Sequence, residues 1–161
     1  MAVRTTTWIL ISDASRARLF ADGSPSRSFA LVADFEHPSS RAHVSDLVAD
    51  AYGRKPVGGS RSAVNGRNRS FHGRPGVEPD TDPKDVEAMK FARDLAHELE
   101  RAVDDHRFDE LIVAAPPRFL GLLKETFCEK VRRRMILTLD KDLSLLSAPE
   151  ITRRLRAARA A

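Results

Sequence analysis

The sequence predicts a single three-layer α/β domain over residues 1–161, built on a mixed five-stranded sheet. Three observations point there. Three short β-prone runs separated by turn formers open the chain, two continuous apolar runs come later, and stretches with helical apolar spacing lie between and after them. A length of 161 residues suits one domain with a sizeable core.

Taken in order, residues 8–11 form an apolar run rich in β-formers. Ala17, Leu19 and Ala21 then alternate with Arg16 and Arg18, which predicts a second strand with Phe20 facing outward or lying at an edge. Asp13-Ala14-Ser15 supplies the turn of a hairpin between them. Asp22-Gly23-Ser24-Pro25 makes a further turn into a third strand over about 28–35.

After His37-Pro38 the patterning dissolves for more than forty residues, with one helical turn expected over 45–50. Residues 51–77 carry six of the eight glycines and almost no aliphatic side chains. Such a stretch cannot bury enough apolar surface to offset its ordering entropy, so a flexible loop is predicted. Loops of this length inside compact domains tend to be functional or linker-like.

Order resumes at Asp82-Pro83, where Asp82 suits an N-cap, Pro83 the first helical position and Asp85 a favourable place near the positive end of the helix dipole. Ala88, Phe91, Ala92, Leu95, Leu99, Ala102 and Val103 follow at three- and four-residue steps, the signature of an amphipathic helix. Leu111-Ile112-Val113-Ala114-Ala115 suits a strand buried on both faces. Pro116-Pro117 ends it and opens a second helix with Phe119, Leu120, Leu123, Phe127 and Val131 on one side. Residues 135–139 form another short buried run, and Ser147-Ala148-Pro149-Glu150 has the form of a capping box for a last helix to about residue 158. The resulting order is βββαβαβα, with the later strands parallel because crossover helices join them.

Charge is segregated along this plan. Residues 51–77 hold six bases (Arg54, Lys55, Arg61, Arg67, Arg69, Arg74) and no acid; the formal +4 less those six leaves −2 for everything else. Residues 78–110 carry twelve acids against five bases, and residues 129–161 nine bases against four acids. Uneven blocks of this kind point to contacts with polyanions or acidic surfaces, and equally describe solvated faces. No apolar run approaches 18 residues, so no membrane span is expected. The apolar stretch at 8–11 is too short for a secretory h-region, and the lone Cys128 fits a reducing compartment, so a cytoplasmic location is expected.

The same element order occurs in ribonuclease H-like folds, and that analogy implies the strand order 3-2-1-4-5. More specific strings are present. Trp8-Ile9-Leu10-Ile11-Ser12-Asp13-Ala14-Ser15-Arg16-Ala17-Arg18-Leu19-Phe20, His37-Pro38 with Ser40-Arg41-x-His43-x-x-Asp46-Leu47-Val48-x-Asp50, Asp82-Pro83-Lys84, Ala115-Pro116-Pro117-Arg118-Phe119-Leu120-Gly121 and Leu139-Asp140-Lys141-Asp142-Leu143 together resemble the bacterial host attachment protein family. The resemblance runs in order through nearly the whole chain outside the glycine-rich loop. It implies a link to attachment of bacteria to host cells and brings no catalytic residues with it.

That family is in turn distantly similar to the middle domain of archaeal and eukaryotic peptide release factors. In those factors a Gly-Gly-Gln tip on a basic loop promotes peptidyl-tRNA hydrolysis. Gly58-Gly59-Ser60 stands in the equivalent stretch here, but the glutamine is missing. Release activity therefore does not transfer with the resemblance.

The remaining chemistry is sparse. A ribonuclease H-type nuclease needs carboxylates converging on two metals. Asp13 lies just beyond the first strand, while the fourth strand closes on Ala114-Ala115-Pro116-Pro117, so Asp13 reads as a turn residue. His37, His43, Asp46 and Asp50 are the one concentration of candidate metal ligands, and His43, Asp46 and Asp50 share a face if helical. Their spacing matches no recognised site, and a structural anchor is the competing reading. Cys128 reads as a packing residue. Neither phosphate-binding glycine motif is present, so no cofactor is implied. Arg118, at a helix start beyond the carboxyl end of the fourth strand, is a candidate anion contact or a surface ion pair.

The loop thus carries the functional expectation: a non-catalytic module contacting RNA or the ribosome. Arg54, Lys55, Arg61, Arg67, Arg69 and Arg74 on a glycine backbone suit phosphate contacts, with Gly58, Gly59 and Ser60 at the would-be tip and Tyr52 and Phe71 able to stack on bases. A solvated linker and an acidic protein partner are the alternatives for the loop; an attachment-related surface factor is the runner-up function, and a release-factor-like peptidyl-tRNA hydrolase the third. Oligomeric state is not legible.

Overall fold

The structure is a computed structural model that describes residues 5–22, 29–38 and 82–161. The described elements run β1 (Thr7–Ser12), β2 (Arg16–Asp22), β3 (Ala30–Glu36), α1 (Pro83–Asp104), β4 (Glu110–Ala114), α2 (Pro117–Thr126), α3 (Glu129–Arg132), β5 (Met135–Leu139) and α4 (Ala148–Ala160). They form one five-stranded sheet in the order β3-β2-β1-β4-β5. β1 pairs antiparallel with β2 and parallel with β4, β2 antiparallel with β3, and β4 parallel with β5. This is the mixed sheet and the 3-2-1-4-5 order expected from the sequence.

Strand alternation divides the core. Trp8, Leu10, Leu111 and Val113 pack with Phe91, Leu95, Phe119 and Leu123 of α1 and α2 on one face. Ile9, Ile11, Ile112 and Ala114 turn the other way, against Ile151 and Leu155 of α4. Both sides of β1 and β4 are thereby covered, which is why those strands read as unbroken apolar runs. Helices on the two faces complete the three layers.

Two expectations change. Phe20 is buried with Phe29, Ile151 and Leu155, not turned outward or to an edge. β2 lies inside the sheet and both its faces are packed, so its alternation separates two cores rather than core from solvent. Residues 135–139 form the outer strand that the order 3-2-1-4-5 requires, but β5 is only half-buried where a buried run is expected. Ile136, skipped by the register shift opposite Leu111/Ile112, is 48% exposed.

The second helix is also shorter than its apolar spacing predicts. Phe127 and Cys128 are extended, and a four-residue helix α3 follows. Steps of four on a helix of 3.6 residues per turn drift by about 40° each. Three such steps, from Phe119 to Val131, would rotate Val131 away from the sheet; the break returns Phe127 and Val131 to the core, where both are buried. The Thr126 hydroxyl donates to the Leu122 carbonyl at 2.7 Å, a bond that competes with helix continuation.

The parallel pairing places the carboxyl ends of β1, β3, β4 and β5 at one edge of the sheet. α1 and α2 begin at that edge. It is where the described chain stops at Pro38 and resumes at Asp82.

Candidate functional site

At the carboxyl edge, α1 starts as its sequence prescribes, with the Asp82 carboxylate accepting from Lys84 N–H at 3.0 Å and Pro83 in the first turn. One turn further on, Glu87 occupies the inward stripe that leads to Phe91 and Leu95 and is nearly buried. Its carboxylate accepts from His37 Nε2 at 2.8 Å and from Lys90 Nζ at 2.6 Å. The bond to Lys90, then that to His37, holds the Glu87 carboxyl below the usual glutamate value against the opposing effect of burial. The His37 ring also stacks on Phe91, with centroids 5.5 Å apart. His37, Glu87, Lys90 and Phe91 thus clasp the end of β3 to the first turns of α1.

Asp13 anchors the β1–β2 turn. One carboxylate oxygen accepts from Ser15 N–H and Oγ and from Arg16 N–H, and the other from Ser144 Oγ at 3.1 Å. Burial alone would raise its pKa, but these bonds outweigh burial and hold it below the ordinary value. Ser144 Oγ also lies 2.6 Å from Asp142 Oδ1, and the Arg18 guanidinium donates to the carbonyls of Ser144 and Leu146. These contacts sew the loop after β5 to the first hairpin. Asp13 is therefore a turn residue, as its sequence context predicts.

Between α1 and α2 a cleft of about 470 Å³ opens, lined by Ala14, Ala88, Met89, Phe119 and Gly121 together with the charged Lys84, Asp85, Arg118 and Glu125. Arg118 stands in the first turn of α2 and is 84% exposed, bound to Asp85 at 2.7 Å. This is the surface ion pair weighed against an anion contact. A pair so exposed contributes about 0–1 kcal/mol, so the guanidinium remains exchangeable.

Of the residues singled out from the sequence, Arg118 and His37 are therefore located, 33 and 50 residues from their partners in sequence. Arg54, Lys55, Gly58, Gly59, Ser60, Arg61, Arg67, Arg69 and Arg74 lie outside the described residues, as do His43, Asp46, Asp50 and the helical turn expected over 45–50. His37, the described member of the metal candidates, spends Nε2 on Glu87. Among the described residues no three His, Cys, Asp or Glu side chains are placed to hold a metal ion. No described helix is long and apolar enough to cross a membrane.

His37 is thus the structural anchor weighed against a metal ligand, and its partner Glu87, not singled out from the sequence, carries a signal of its own. Glu87 is four residues before Phe91 on the buried stripe, and an acid at such a position needs a partner. The Asp13–Ser144 contact has no comparable signal, because 131 residues separate its ends.

A comparison with curated proteins finds no match. The family model described as "Protein required for attachment to host cells" matches residues 8–155, from β1 into α4. That span takes in every strand and helix described above except Thr7 at the start of β1 and the end of α4, and on it the chain belongs to the family of proteins required for attachment to host cells.

Proposed function

We propose that this family member is a non-catalytic binding module that contacts RNA, free or in the ribosome, through the basic segment 51–77. The observation that carries the reading is the charge pattern: six bases and no acid in 27 consecutive residues of a chain whose remainder sums to −2. Cations concentrated in this way release counterions from a phosphate backbone and give salt-dependent affinity. The flanking geometry supports it. Pro38 and Asp82 both stand at the carboxyl edge, where the His37–Glu87 clasp fixes one end and the Asp82 cap the other. Arg118, exposed at the same edge, adds an exchangeable cation.

On this reading the protein works in the cytoplasm. It co-sediments with ribosomes or is recovered with RNA from native lysate, and RNase treatment abolishes the recovery. Recovery that RNase leaves unchanged overturns the proposal.

The family match favours a second reading, an attachment-related factor that binds protein at the cell surface. Cell fractionation separates the two, since the RNA reading requires the protein in the soluble cytosol. Peptidyl-tRNA hydrolysis has less support, because Ser60 stands where release factors carry glutamine.

A further inference from the structure

Among the described residues the C-terminal helix carries three arginines with no salt-bridge partner, and only Glu150 acts on two of them, Arg153 and Arg154, through space. α4 turns Ile151, Thr152 and Leu155 onto the sheet, which leaves Arg153, Arg154 and Arg156 exposed. Elsewhere in the fold helix cations are commonly paired, as in Lys90–Glu87, Arg101–Glu98, Lys130–Asp104 and Arg133–Glu129. On α4 the pairing is limited to Arg159, which reaches Asp22 at 3.2 Å. Among the described residues Arg153, Arg154 and Arg156 form no ion pair. Glu150, the one acid of the helix, accepts from Ser147 N–H and Oγ at 3.1 and 2.7 Å, and its single charge acts on Arg153 and Arg154 only through space, leaving the face with a cationic excess.

The residue types and their spacing say what would satisfy this face. All four cations of α4 are arginine and none is lysine. The guanidinium fork matches phosphate oxygens two at a time and sheds water more readily than an ammonium group. Arg153 and Arg156 are three positions apart, about 5–6 Å between Cβ atoms. At 3.6 residues per turn, exposed Ala157 and Ala160 fall on the same outward arc, so a backbone passing along the helix meets a low floor between the charges.

We propose that the outward face of α4 is an RNA-backbone contact, with Arg153, Arg154 and Arg156 engaging phosphate oxygens. It rests on the RNA reading above and extends it to the face of the sheet opposite α1 and α2.

The test titrates the full chain, an R153A/R154A/R156A variant and an R61A/R67A/R69A variant with a uridine 20-mer over a salt series. Each phosphate contact on a single strand contributes about 0.7 to the slope of log affinity against log salt. Loss of three therefore lowers the slope by about 2 in the α4 variant, and replacement of the same three arginines by lysine largely preserves it. Arg153, Arg154 and Arg156 are exposed, so the urea midpoint of the α4 variant stays unchanged and a folding defect is distinguishable. A slope equal to that of the unchanged protein overturns the α4 contact. If the slope falls in the segment variant and not in the α4 variant, this inference fails and the proposed function stands. If it falls in the α4 variant alone, the inference stands and the segment reading fails. Absence of RNA binding by the unchanged protein overturns both. Tighter binding to polyglutamate than to RNA, lost in the α4 variant, overturns the RNA assignment in favour of an acidic protein.

Discussion

Glu87 is the residue on which the carboxyl edge turns. It is an acid on the buried stripe of α1, satisfied by His37 and Lys90. Substitution by Ala leaves the part-buried His37 N–H without its acceptor, and loss of such a bond costs about 0.5–1.5 kcal/mol. Urea unfolding of Glu87→Ala at neutral pH measures that loss. Because its folded pKa lies below the ordinary value of 4.5, the Glu87 carboxylate stabilises the fold above that value. The contribution is lost as pH falls through the folded pKa, so the stability gap between the protein and Glu87→Gln narrows on acidification below about pH 4.5. A gap that is constant from pH 7 to 3 contradicts this account. A second residue carries backbone strain: His106 has φ of 55° where α1 ends, with its N–H on Val103 O and Arg107 N–H on Ala102 O. That is the two-bond helix stop in which glycine is favoured. Gly at this position relieves a left-handed cost of about 1–2 kcal/mol and adds unfolded-state entropy in return. His106→Gly is expected to raise stability by about 0.5–1 kcal/mol, read as a higher urea midpoint.

At the scale of elements, α2 offers a clean test of helix propensity. Gly121 lies inside it, and an added Cβ meets nothing within 4 Å. Gly121→Ala should therefore stabilise the protein by about 0.5–1 kcal/mol, the propensity difference itself, measured by thermal or urea unfolding. A loss of stability shows that the cleft wall is tighter than its geometry indicates. Most of the elements were legible because each is specified locally. The caps at Asp82 and Ser147 and the stripe from Ala88 to Val103 need only neighbours in sequence. What escaped depended on tertiary placement. Residues 135–139 are only half-buried because β5 has no strand on its outer side, and Phe20 is buried because a helix from the far end of the chain covers it. The break at Phe127 follows from keeping Val131 over the sheet, a requirement that the apolar spacing alone does not express.

For the whole molecule, the sheet order and the three layers followed from the element order, while the candidate site was legible only as charge. The sequence shows where the cations are; the fold adds where the chain leaves the sheet and returns to it, and exposes Arg118 beside that point. It also puts Arg153, Arg154 and Arg156 on the opposite face, where sequence alone reads them as solvated. The family match carries an association with host attachment and leaves the chemistry of binding to the chain's own residues. If the cations of 51–77 contact phosphate, tRNA binding must depend on salt and on those cations. The expected result is salt-sensitive binding whose log–log slope drops by about 2 or more when Arg61, Arg67 and Arg69 become Ala. Superimposable curves for the two proteins, or binding indifferent to salt, would contradict it.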